Sequence, residues 1–121
     1  MVEINDIPII TLLYQLYATF HNSLKNFPRV ERYSLGADCQ KSILAALRYS
    51  LLAASTNAKL SGKKSDYLRQ ASAELDILKL LLKLARDCHC YPNQTYQQLD
   101  SMTQKAGKML GGWLKSIPNS P

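Results

Sequence analysis

Four stretches of apolar residues recur at helical spacing, and the strong breakers fall between them; no other feature limits the fold as much. The breakers are Phe27-Pro28, Ser61-Gly62-Lys63-Lys64, Tyr91-Pro92-Asn93 and Pro118. The first stretch has Asp6 as its expected N-cap and Pro8 in its first turn, where the missing N–H costs nothing. Ile9, Leu13, Leu16, Phe20 and Leu24 then follow at steps of three or four. The second runs from about Ser34 to Ala58 and carries Leu35, Cys39, Ile43, Ala46, Leu47 and Leu51. The third opens after Ser65, an expected cap, with Leu68, Leu75, Leu78, Leu82 and Ala85. The fourth starts near Asn93 and carries Leu99, Met102, Ala106, Met109, Trp113 and Ile117.

The spacing thus predicts helices over about 7–26, 34–58, 65–89 and 93–117 of a single 121-residue domain. Each helix is about 27–37 Å long at ~1.5 Å per residue. Similar lengths and short connections make chain neighbours antiparallel, so the expected fold is all-α, an up-down-up-down four-helix bundle. No strand-like alternation and no internal repeat competes. Hydrophobic residues at 46% and charged ones at 20% exclude a disordered chain.

The third stretch is more apolar than one core requires. Leu68, Leu75, Leu78 and Leu82 form one stripe, and Ile77, Leu80, Leu81, Leu84 and Cys88 continue it around the side. That surplus is expected to serve a subunit interface through Ile77, Leu81 and Leu84. The fourth stretch holds Gly107, Gly111 and Gly112. A glycine inside a helix costs about 1 kcal/mol relative to alanine, so a compensating close approach is expected along the Gly107–Gly111 edge. Tyr14, Tyr17 and His21 flank the first core stripe; an interface is preferred for them over base stacking. Trp113 falls on the core stripe of its own helix and is read as core.

Charge is unevenly placed. Lys and Arg number 15 against 9 Asp and Glu, a formal +6. Residues 1–58 hold five basic and four acidic side chains, net +1, whereas residues 59–121 hold ten and five, net +5. Lys105, Lys108 and Lys115 share one acid-free face of the fourth helix. Lys79, Lys83 and Arg86 line the polar strip of the third, partly offset by Asp76 and Asp87. Lys59, Lys63 and Lys64 crowd a loop, and Arg29 and Arg32 flank the first turn. A solvated face explains such lysines as readily as phosphate contact does; in an assembly the charge multiplies and favours salt-sensitive nucleic-acid binding.

Catalytic arrangements are missing from the pattern. His21 and His89 are the only histidines, and no Ser-His-Asp or Cys-His set can be placed on the helices. Cys88-His89-Cys90 offers soft ligands, yet structural zinc takes four at looser spacing. The preferred reading there is a helix end, with Cys88 packed inward and His89 against the last-turn carbonyls. No cofactor, metal or enzymatic activity is expected. The acidic start, Met1 to Asp6, lacks the pattern of a signal peptide, and no run reaches the ~20 apolar residues of a membrane span. With three cysteines, read as reduced thiols, a cytoplasmic setting without membrane contact is expected.

Three segments go beyond a generic bundle. Phe27-Pro28-Arg29-Val30-Glu31-Arg32-Tyr33-Ser34-Leu35-Gly36 resembles the first junction of a four-helix-bundle family. That family contains the 23S rRNA intervening-sequence proteins and Avd, the accessory variability determinant of diversity-generating retroelements. Leu75 to Ala85 resembles the third helix of the Avd-like members. Gly107-Lys108-Met109-Leu110-Gly111-Gly112-Trp113-Leu114-Lys115-Ser116 resembles their fourth, the most specific of the three. The similarity runs from about Leu12 to Ile117. Tyr49 to Ser55 stands where the intervening-sequence branch has a Ser-Ile-Pro-Ser-Asn-Ile-Ala-Glu-Gly type of run, which favours the Avd branch.

The resemblance implies a homopentameric barrel of four-helix subunits with a positively charged surface. It implies a non-catalytic partner of the retroelement's reverse transcriptase and of RNA from its template-repeat region, with DNA as a further option. Such proteins support cDNA synthesis and mutagenic retrohoming, in which template-derived cDNA diversifies a target gene. Arg29, Arg32, Lys79, Lys83, Arg86, Lys105, Lys108 and Lys115 are then the candidates for RNA or polymerase contact. For Arg29 and Arg32 the competing role is structural pairing with Glu31 or Asp76. Ile77, Leu81, Leu84, Gly107 and Gly111 are the candidates for the oligomer interface. The alternatives are a bundle of the intervening-sequence type and a scaffold that binds protein only.

Overall fold

The computed structural model describes residues 7–118. Four long helices carry the fold: α1 (Pro8–Ser23), α3 (Leu35–Ser55), α4 (Ser61–Asp87) and α5 (Asn93–Ser116), with a single helical turn α2 (Arg29–Arg32) between the first two. No strand occurs among the described residues. α1 packs on α3 and α5, and α4 packs on the same two helices, which closes a four-cornered bundle with α1 and α4 on one diagonal.

The boundaries follow local chemistry. Pro8 lies in the first turn of α1 as its spacing requires; the expected Asp6 cap lies outside the described residues. α1 stops at Ser23, tightens into a 3-10 turn over Leu24–Asn26, and enters Phe27 with an extended backbone (φ −71°, ψ 140°). The pyrrolidine of Pro28 disfavours the helical region for the residue before it, which ends the helix there. α3 ends at Ser55 rather than near Ala58, because Thr56 turns extended (ψ 134°). The Thr56 hydroxyl donates 2.6 Å to the Leu52 carbonyl.

The largest difference from the sequence-based expectation is at α4, which begins at Ser61 and not after Ser65. Asn57 explains it: its side-chain oxygen accepts the Lys59 N–H at 2.9 Å, and its carbonyl accepts the Leu60 N–H at 2.8 Å. This turn reverses the chain within a few residues. The helix therefore starts four residues early, with Gly62, Lys63 and Lys64 in its first turn rather than in a loop.

Side chains from all four long helices fill the core. Leu13, Leu16, Phe20, Ile43, Leu68, Leu75, Leu78, Leu82, Leu99 and Leu110 are all at or below 1% exposure, so the apolar periodicities of the helices converge inward. In α5 the buried line is Leu99, Thr103, Ala106 and Leu110, whereas Met102, Met109, Trp113 and Ile117 flank it half-buried. The expected stripe is thus rotated. Thr103 can lie in the core because its hydroxyl donates 2.8 Å to the Leu99 carbonyl, leaving no polar group unpaired.

The two connections at the α1–α2 end are stitched together by aromatics. Phe20 meets Phe27 edge-on at 5.7 Å, and Phe27 meets Tyr91 edge-on at 5.5 Å. The Tyr91 hydroxyl donates 2.6 Å to the Leu82 carbonyl, which anchors the α4–α5 connection.

Candidate functional site

The basic surface is centred on α5. Lys105, Lys108 and Lys115 are all exposed, and they span about 15 Å of one face at ~1.5 Å per residue. Among the described residues the ion pairs are Arg69–Asp66 at 3.3 Å, Lys79–Asp76 at 3.9 Å and Arg86–Asp87 at 3.1 Å. The three α5 lysines take part in none of them. On α4, by contrast, Lys79 and Arg86 each have an acid beside them, and Arg86 also lies 4.5 Å over the Tyr96 ring of α5. Lys83 is exposed and outside these pairs. The packing of Arg86 on Tyr96 places the C-terminal end of the α4 basic strip against the start of α5.

The junction arginines separate. Arg29 is exposed and unpaired among the described ion pairs. Arg32 is half-buried, with Nη2 reaching the Phe27 carbonyl at 3.5 Å. Neither Glu31 nor Asp76 pairs with it; Glu31 instead accepts a 3.3 Å hydrogen bond from Ser34. Arg32 therefore braces the junction.

The uncovered apolar surfaces among the described residues include a face of α4 and a groove between α1 and α3. On α4, Ile77, Leu80 and Leu84 are 47%, 69% and 49% exposed, although Leu78 and Leu82 of the same helix are fully buried. Leu81 lies between, half-buried against the core. The second surface is a groove of about 530 Å³ between α1 and α3, lined by Tyr14, Tyr17, Ala18, His21, Leu44 and Leu47. Tyr17 and His21 stack at 6.3 Å, and Gln40 donates to the Tyr17 hydroxyl at 3.2 Å. Sequence reasoning found the aromatic wall of this groove but not its α3 wall. The signal was a second apolar line on α3, Leu44, Leu47 and Leu51, of which the core stripe expected from spacing takes in Leu47 and Leu51 and leaves out Leu44.

The glycines of α5 have no neighbour inside the chain: a Cβ added at Gly107, Gly111 or Gly112 meets nothing within 4 Å. The close approach expected there is not made within the subunit.

Cys88-His89-Cys90 forms the α4 terminus. The Cys90 N–H bonds the Ala85 carbonyl at 2.9 Å and the His89 N–H bonds the Arg86 carbonyl at 3.0 Å, with His89 at φ 61°. This is the Schellman arrangement, with histidine where glycine is usual. It turns Cys90 inward and leaves Cys88 exposed, the reverse of the expected inward Cys88. Cys39, Cys90 and Tyr91 are buried and electrostatically coupled. Burial, reinforced by Asp38 and Cys90, pushes the Cys39 thiol up to about 12. Burial also raises Tyr91 and Cys90 above their ordinary values.

No group of three His, Cys, Asp or Glu side chains among the described residues is placed to hold a metal ion. No described helix is long and apolar enough to cross a membrane. The family described as bAvd-like matches residues 9–117, a span that takes in the four long helices but for Pro8 at the start of α1. No curated protein matches the chain.

Proposed function

The chain belongs to the bAvd-like family, and on that premise we propose that it is the non-catalytic accessory subunit of a diversity-generating retroelement. In this reading it binds the element's reverse transcriptase and RNA, assembles into a homopentameric barrel in the cytoplasm, and supports cDNA synthesis and mutagenic retrohoming. The family match across all four long helices is the observation that carries the reading. The surface agrees with it. Exposed lysines at 105, 108 and 115, free of the described ion pairs, supply a strip suited to phosphate contact. Five copies of a +6 chain carry +30, so holding such a ring against a basic polymerase requires RNA between them or strong local contacts.

The test is co-purification with the retroelement's reverse transcriptase, with and without nuclease. Retention before nuclease and loss after it supports an RNA-bridged complex; retention after nuclease supports direct contact with the polymerase. Absence of the polymerase from both preparations sinks the reading.

A further inference from the structure

The two ends of the bundle differ. Phe20, Phe27 and Tyr91 pack edge-on across the end where α4 runs into α5. At the opposite end the four long helices leave a pocket of about 520 Å³, within the roughly 300–1,000 Å³ of ligand sites. Pro8 and Ile9 of α1, Ala54 of α3, and Met109 and Trp113 of α5 give it an apolar wall. Lys64 of α4 is the charged residue among the described lining.

The surroundings of this pocket are cationic. Lys59 lies in the turn before α4, Lys63 stands beside Lys64 in its first turn, and Lys115 follows Trp113 by two residues. Lys59, Lys63 and Lys115 are exposed, and none of the four lysines enters a described ion pair. Lys64 is half-buried, and its Nζ donates to the Thr56 carbonyl at 3.3 Å, which fixes the ammonium and leaves further N–H groups for an anion. The acid on this end is Asp66, already paired with Arg69 at 3.3 Å. Residues 7–30 and 101–118 contain no Asp or Glu, and residues 39–73 contain only Asp66. Glu3 and Asp6 lie outside the described residues.

We infer that this end docks an acidic peptide segment of another protein, with one bulky apolar side chain in the pocket and its flanking carboxylates on the lysines. A leucine or phenylalanine side chain leaves water there without giving up a hydrogen bond. A nucleobase would bring polar edge groups against Pro8, Ile9, Ala54 and Met109, whose side chains offer them no partner. Carboxylates on either side of the anchor meet lysines of α4 and of α5, so charge also sets the register of the peptide. Gly112 lines the same pocket, is exposed, and has nothing within 4 Å of an added Cβ. A peptide backbone can therefore approach α5 closely at that point, which gives this helical glycine a use.

Trp113 is the one tryptophan of the chain, so its emission reports on the pocket. The probes are the acetylated peptides Asp-Glu-Leu-Glu-Asp and Asp-Glu-Phe-Glu-Asp, titrated into the full chain at low salt. Controls are Asp-Glu-Ser-Glu-Asp and Gln-Gln-Leu-Gln-Gln. An acidic peptide with an apolar centre is expected to move Trp113 emission to shorter wavelength and to saturate. Both controls are expected to bind at least about tenfold more weakly. Lys63→Gln with Lys64→Gln is expected to weaken the acidic peptide about fivefold. Lys83→Gln, about 28 Å along α4 from Lys64, leaves it unchanged. Gly112→Leu adds a side chain at the mouth and favours the helix, so it abolishes binding of a labelled peptide by anisotropy while the urea midpoint holds or rises. No Trp113 shift with either acidic peptide, equal binding of a control, or full binding to Gly112→Leu overturns the inference. So does a single-stranded oligouridylate that shifts Trp113 and is blocked by Gly112→Leu when the peptides do neither, since the pocket then belongs to nucleic acid. These readouts involve no polymerase, so they stand or fall apart from the retroelement reading.

Discussion

His89 holds the left-handed conformation that ends α4, and no glycine marks the position. A non-glycine residue there carries a steric cost of roughly 1–2 kcal/mol, part of which glycine returns through its greater freedom when unfolded. His89→Gly is expected to stabilise the subunit by about 0.5–1 kcal/mol, read as a rise in the urea midpoint. The same corner shows what a sequence hides at this scale. Cys88 and Cys90 are equally apolar, and only the backbone reversal at His89 decides which turns inward. Thr103 was illegible for a related reason: a local hydrogen bond makes a polar residue into a core residue.

A second effect at the residue scale is pH dependence. Cys39 ionises at an ordinary 9.0 when unfolded and at about 12 in the fold, so above pH 9 the unfolded chain loses its proton first. Its contribution to stability is complete below pH 9 and is lost as pH climbs toward 12, by about 1.4 kcal/mol per pH unit for a single group. Tyr91 and Cys90 shift in the same direction and steepen the decline. Cys39→Ala is expected to flatten, without abolishing, the fall in unfolding free energy between pH 9 and 10.5.

At the scale of elements, two kinds of glycine give opposite expectations. A Cβ at Gly36 would lie 2.7 Å from Leu24 Cδ2 and 3.5 Å from the Glu31 carbonyl, because the start of α3 is pressed against the α1–α2 junction. Only the end of the half-buried Leu24 side chain has to move, and alanine's higher helix propensity offsets part of the strain, so Gly36→Ala is expected to cost up to about 1 kcal/mol. On α5 the space is open, so Gly107→Ala with Gly111→Ala is expected to add about 1–2 kcal/mol together to the dissociated subunit. Denaturation at a concentration where the subunit is monomeric measures both. The existence of the long helices was legible from spacing alone, since each buries one stripe. Their ends were less so. The start of α4 depends on the Asn57 turn, which lets a glycine and two lysines enter a helix that composition assigns to a loop.

At the scale of the molecule, the sequence revealed that positive charge concentrates after residue 58, but not which of those cations stand free. Only the packing of Arg86 on Tyr96 and the ion pairs distinguish engaged cations from free ones. That distinction makes the nucleic-acid part of the proposal quantitative. Each phosphate neutralised on a single strand contributes about 0.7 to the slope of log affinity against log salt. Replacing Lys105, Lys108 and Lys115 by Gln is therefore expected to weaken binding of a single-stranded RNA and to shallow that slope by about 2 (three contacts at about 0.7 each). Arg69→Gln removes a cation already paired with Asp66 and is expected to change neither quantity. Fluorescence anisotropy from 50 to 200 mM salt on the intact assembly reads both variants. An affinity that stays flat for the wild type, or a triple variant with an unchanged slope, would assign these lysines to solvation and leave the protein-only scaffold as the better reading.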